Sequence, residues 1–225
     1  MSSPKHPAPP AQQKSKVNSL TFGKPPLVLV ETAFLASTTS LLYLLNYYLP
    51  VMPFGTFFAV PTALIYMRWG NRAGWMTAFV SGLLLFVLMG PIRSILFVIP
   101  YGIMGVQLGA CWQRRTSWLT SISLGALLDS VGVYFRLWLT SVLLGEDVWM
   151  YLMVRISDFA EWLFVQLGIL AEPNLLTIQI LTLASILIGK FIDISGTHLV
   201  TLWLFERLGN PIPKPPAWVN TLLDL

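Results

Sequence analysis

Residues 117–144 read SWLTSISLGALLDSVGVYFRLWLTSVLL, with Asp129 and Arg136 the only charged side chains in the run. The run exceeds the roughly 20 residues an α-helix needs to cross the hydrocarbon core of a bilayer. Within it stands Gly125-Ala126-Leu127-Leu128-Asp129-Ser130-Val131-Gly132, and a second string of the same form, Gly189-Lys190-Phe191-Ile192-Asp193-Ile194-Ser195-Gly196, lies in the last apolar run. Both read G-x-x-x-D-x-x-G, and positions i, i+4 and i+7 share one helix face. Each string therefore frames an aspartate with two glycines. A carboxylate inside a membrane is expensive and marks a functional-site candidate by default.

Composition supports a membrane protein. The chain is 55% hydrophobic and 11% charged, with a mean hydropathy of +0.69, whereas soluble domains are about 25% charged. Apolar runs fall at about 27–49, 51–67, 73–89, 92–112, 117–144 and 175–206. The second and third are short, and Pro61 interrupts the second. The expected fold is all-α: a polytopic six-helix transmembrane bundle over residues 27–208. A flexible, basic, Pro-rich tail (1–26) precedes it and a short Pro-rich tail (209–225) follows. The first tail lacks the short apolar core and cleavage site of a secretory signal. Cys111, the sole cysteine, excludes an internal disulfide framework and a cysteine-only metal cluster.

Ten of the 14 basic residues lie in the first tail (Lys5, Lys14, Lys16, Lys24), in two loops (Arg68, Arg72, Arg114, Arg115) or after the last span (Arg207, Lys214). Glu146, Asp147 and Glu172 fall in connections on the other side. By the positive-inside rule both termini are expected in the cytoplasm, and the basic tail suits contact with anionic lipid. Residues 147–171 carry Arg155, Asp158 and Glu161 in their middle. They read better as an outer interfacial helix or lid than as a seventh span. Nucleic-acid binding is excluded as a function class, because the pI of 9.3 arises from lysines in tails and loops rather than from a folded basic surface.

Asp129 lies 14 residues after Arg115 and Asp193 lies 14 residues before Arg207. If both arginines mark one interface, each aspartate sits about 21 Å above it. Antiparallel spans then bring the two carboxylates to one depth. Asp129, Arg136, Lys190, Asp193 and Arg93 are the candidate ligand- or ion-binding residues. The alternative is a structural ion-pair set of Asp129 or Asp193 with Lys190 or Arg136. Arg93 and Arg136, with Arg155, are placed to line an entrance for an anion. His198 reads as a packed, hydrogen-bonded histidine. Trp69, Trp75, Trp112, Trp118, Trp149 and Trp218 suggest an aromatic belt. Small residues recur at Gly74, Ala78 and Gly82, at Gly105 and Gly109, and at Ala33 and Ser37, which suits close helix packing or a docking face.

No catalytic signature is present: G-x-S-x-G, H-E-x-x-H and the G-x-x-x-x-G-K-[ST] phosphate loop are all missing. No catalytic residue, cofactor or metal site is expected. The string Pro61-Thr62-Ala63-Leu64-Ile65-Tyr66-Met67-Arg68-Trp69-Gly70, the Gly90-Pro91 break, and the glycine-spaced fourth helix ending at Leu108-Gly109 before Arg114-Arg115 resemble the YybS-like family of membrane proteins. That family is similar to the substrate-binding S components of energy-coupling-factor transporters. The resemblance implies a six-helix bundle with both termini inside and a small-molecule pocket toward the outer side. It also implies partners: a transmembrane coupling subunit, contacted by small residues of the first helix (here Ala33, Ala36 and Ser37), and ATPase subunits. The implied membrane is a bacterial inner membrane, or a thylakoid or plastid membrane. The competing reading is a noncatalytic scaffold or assembly factor.

Overall fold

The computed structural model describes residues 24–49, 55–166, 168, 174–209 and 212–213. Among these there is no strand. Eight α-helices form: α1 (Lys24–Tyr48), α2 (Val60–Trp69), α3 (Asn71–Met89), α4 (Pro91–Phe97), α5 (Ile103–Gln113), α6 (Trp118–Leu144), α7 (Val148–Gln166) and α8 (Leu175–Arg207). A 3-10 turn, Gly55–Ala59, leads into α2, and a π-helical stretch, Val98–Gly102, joins α4 to α5. Five helical stretches are long and apolar enough to cross a membrane: Pro26–Tyr48, Asn71–Met89, Pro91–Gln113, Trp118–Leu144 and Leu175–Arg207. The chain is thus an all-helical membrane protein. Lys5, Lys14, Lys16, Glu172, Lys214 and Trp218, with nearly all of both expected tails, lie outside the described residues.

The second expected span takes a different form. Pro61 sits in the first turn of α2, where its missing N–H would have had no partner, so it starts a helix instead of interrupting one. With ten residues, α2 falls short of a membrane-crossing length, and Val60–Tyr66 are all buried. The fourth run is helical throughout but changes pitch at Pro100. A proline cannot donate to the carbonyl four residues back, and the backbone widens there into the π stretch. The α3–α4 corner is made by Gly90 at φ +87 followed by Pro91 at the head of α4, a pairing of left-handed glycine with first-turn proline. Ser117 and Asn174 cap α6 and α8 by accepting hydrogen bonds from Thr120 N (3.3 Å) and Leu176 N (3.4 Å).

Polar contacts order the helix ends. Trp69 Nε1 donates to Glu31 Oε2 (2.7 Å), Arg68 pairs with the same carboxylate (3.4 Å), and Arg68 Nη2 reaches Leu208 O (3.5 Å). Trp118 Nε1 donates to Pro213 O (2.7 Å). The start of α1, the end of α2, the start of α6 and the end of α8 therefore meet at one end of the bundle, called the Arg68 end. At the opposite end, Arg93 Nη2 donates to Tyr47 Oη (2.7 Å) and joins the start of α4 to the end of α1. It follows that α6 and α8 run antiparallel.

The interior combines a core of large side chains, among them Leu85, Phe97, Met104, Leu108 and Phe205, with buried hydroxyls, while many further large apolar side chains face outward. Ser40 Oγ donates to Ala36 O (2.9 Å) and Ser81 Oγ reaches the same carbonyl (3.2 Å), which ties α1 to α3. On α8, Leu181, Ile188, Ile192 and Trp203 are exposed, while Ile194, Thr197, His198 and Thr201 are buried. This is the packing expected where lipid replaces water around the bundle. The small-residue ridges of α3 and α5 are consumed inside it. A Cβ on Gly105 would lie 2.8 Å from Ala59 O, and one on Gly109 would lie 2.4 Å from Tyr66 Cβ, so α5 touches the α2 segment almost backbone to backbone. Ala78 is buried and faces Gly102.

Candidate functional site

The polar centre lies between α6 and α8. Lys190 Nζ is 3.2 Å from Asp129 Oδ2 and 3.3 Å from Asp193 Oδ2. Lys190 and Asp193 share a face of α8 because they are three residues apart, and Asp129 meets them from α6. Asp129 is 1% exposed, whereas the side chains of Lys190 and Asp193 keep 21% and 27%. The glycines around Asp129 explain its depth. A Cβ on Gly125 would lie 2.9 Å from Ile194 Cδ1, and one on Gly132 would lie 2.7 Å from Pro100 Cβ. Both permit neighbours to close over the carboxylate. Gly189 has nothing within 4 Å of its Cβ position, so the matched strings are not matched environments. One ammonium thus stands between two carboxylates. The approach of Lys190 to Asp129 is an ion pair rather than an aligned hydrogen bond, and the buried Gln107 Oε1 likewise has no donor.

Toward the Arg68 end, the 3-10 turn is pinned to α8. Thr56 Oγ1 is hydrogen-bonded to Thr197 Oγ1, and both hydroxyls reach Asp193 O, at 3.3 and 3.0 Å. One turn on, His198 is fully buried. Its Nδ1 lies 2.9 Å from Ile194 O and its Nε2 lies 3.1 Å from Trp112 Nε1 and 3.0 Å from Ser121 Oγ. The indole can only donate, so Nε2 accepts and the proton sits on Nδ1. The imidazole is neutral and fully used.

Toward the opposite end, Tyr101 Oη accepts from Arg136 Nη2 (3.1 Å) and Tyr47 Oη accepts from Arg93, whose guanidinium also stacks 4.1 Å from the Tyr47 ring centre. A cleft of about 270 Å³ opens here, lined by Tyr43, Asn46, Phe58, Arg93, Tyr101 and Arg136 among others. Tyr43, Phe58 and Tyr101 form its aromatic wall, with Phe58 edge-on to Tyr43 and to Tyr101 at 5.5 Å.

Residues 37–220 match the family described as Predicted membrane protein (DUF2232). The chain belongs to this family. No curated protein and no solved structure matches it. In this DUF2232 protein the five candidate binding residues divide into two groups: Asp129, Lys190 and Asp193 form the centre, and Arg93 and Arg136 line the cleft. Arg155 joins neither group. It lies on the exposed face of α7 and donates from Nε to Tyr151 Oη (3.1 Å). Of the small residues expected to meet a coupling subunit, Ala33 and Ser37 face outward. Ala36 is fully buried under α3 and is out of reach of a partner. Trp112 and Trp118 are likewise packed around His198 instead of standing in a belt. Reading the residues did not single out Tyr101, Tyr47 or Thr56. A tyrosine or threonine carries no charge to mark it in an apolar run, and their grouping depends on the 3-10 turn and the π stretch.

Proposed function

We propose that this DUF2232 protein is a noncatalytic, membrane-embedded binding component of a transporter, one that resembles S components and takes a small molecule or ion from the Arg93 end. The carrying observation is the cleft that opens at that end above a buried charged centre, an arrangement suited to capture a ligand and stop it midway. The order of helix ends supports six crossings. Gly55–Trp69 supplies the shortest, since a five-residue 3-10 turn and a ten-residue helix rise about 25 Å together. Arg68, Arg72, Arg114, Arg115 and Arg207 gather at the Arg68 end, which makes that end cytoplasmic by the positive-inside rule. On this reading α7 lies along the outer interface. Energy comes from separate ATPase subunits through a coupling subunit that meets the outward face of α1 around Ala33 and Ser37. A scaffold role is less favoured, because the glycine ridges that would serve as docking faces are used within the bundle.

The test is purification of the tagged chain from its native membrane in mild detergent, with identification of co-purifying proteins and small molecules. Recovery of a membrane coupling subunit with an ATPase is expected. Recovery of a stable membrane complex that lacks any ATPase would instead support the scaffold.

A further inference from the structure

We infer that the cleft at the Arg93 end binds a small organic acid, with its carboxylate held between Arg93 and Arg136 and a flat apolar body against the rings of Tyr43, Phe58 and Tyr101. Two guanidinium groups from different helices, α4 and α6, line one cleft, and their observed partners are neutral phenols. Among the described residues no carboxylate lies within ion-pair distance of either arginine, whereas Arg68 and Lys190 are both paired. An arginine fork fits a carboxylate through two parallel hydrogen bonds. Each phenol accepts from its arginine through oxygen, which leaves its own proton for a second acceptor. The cleft is small, just under the roughly 300–1,000 Å³ of ordinary ligand pockets, and beside the arginines it is lined by aromatic rings together with Asn46, Gly55 and Leu96. Deeper in, Lys190 already pairs with Asp129 and Asp193 and offers an anion no free partner. The acid therefore stops at the arginines. The inference names the ligand class of the transporter reading and rests on that reading for its physiological role, but not for the binding itself.

Sodium benzoate is a suitable probe and benzamide its neutral counterpart, titrated into the full chain in a nonionic detergent and followed by thermal unfolding and by calorimetry. Benzoate is expected to raise the melting temperature and benzamide to leave it unchanged. Arg93→Gln and Arg136→Gln should each weaken benzoate binding by about tenfold or more, the worth of a hydrogen bond to a charged group. Should those variants fail to fold, the comparison of the two probes on the unaltered chain still decides. Equal responses to benzoate and benzamide, or unchanged affinity in both arginine variants, would overturn the inference. So would a stronger response to inorganic phosphate or to added phosphatidylglycerol than to benzoate, which would make the cleft a phosphate or headgroup site. A neutral molecule co-purifying with coupling and ATPase subunits would sink the acid and leave the transporter standing. Benzoate binding by a chain with no such subunits would do the reverse.

Discussion

At the scale of single residues, Lys190 is the side chain on which the centre depends. Asp129 is nearly inaccessible and has one cation beside it, so Lys190→Gln leaves a buried carboxylate alone. That should cost about 3–5 kcal/mol of stability in detergent. Adding Asp129→Asn to the same chain should recover most of the loss. Asp193→Asn should cost about 1 kcal/mol or less, since that carboxylate is partly exposed and Lys190 keeps Asp129 as partner. Thermal unfolding of the three variants checks the order, and equal losses in all of them would contradict it. His198→Ala should also destabilise, by about 2 kcal/mol or more, because Trp112 Nε1 and Ser121 Oγ lose their shared acceptor; a circular-dichroism melt reads this directly. The sequence shows both aspartates and their common depth, since charges stand out in apolar runs. It does not show the choice of Lys190 over Arg136. Arg136 lies seven residues beyond Asp129, about 10 Å along the axis, and finds Tyr101 instead.

At the scale of elements, the glycines separate those that seat a helix from those that do not. Gly109→Ala should cost about 1–3 kcal/mol, because the new methyl meets Tyr66 and also lies 3.0 Å from Ala63 O, a backbone atom that cannot swing away. Gly189→Ala meets open space and removes a poor helix former, so it should be neutral or stabilising by up to about 1 kcal/mol. Paired melting curves test the contrast, and a larger loss at Gly189 would mean that this face meets something the bundle alone does not contain. Periodic glycines on α3 and α5 are visible in the sequence, and so is the stop at Gly90-Pro91. Their partner is not. The α2 segment is recognisable as apolar, but its division into a 3-10 turn and a short buried helix follows from what packs around it. Pro100 gives a local reason for the π stretch, although the direction in which that stretch turns Tyr101 is set by α6.

At the scale of the molecule, hydropathy reveals the membrane, and hydrogen bonds between distant residues reveal which ends lie together. Accessible tags should report both termini on the same face, and tags on opposite faces would exclude six crossings. With α7 along the outer interface, single cysteines at Asp147 and Gln166 in a Cys111→Ser background should label with an impermeant maleimide from the same face, and labelling from opposite faces would make α7 a span. The sequence favours the surface for this segment, because Arg155, Asp158 and Glu161 stand in its middle. The lengths of the helices that meet lipid are unequal. The 19 residues of α3 rise about 29 Å, and the 33 residues of α8 rise about 50 Å. A bilayer of one thickness cannot match both. Where the ends of α8 do not stand clear of the hydrocarbon, the bilayer swells beside it or α8 leans with α6 attached to it. Acyl-chain length therefore becomes a mechanical load on the α6–α8 seam, and shorter lipids press on the very contact that Lys190 bridges.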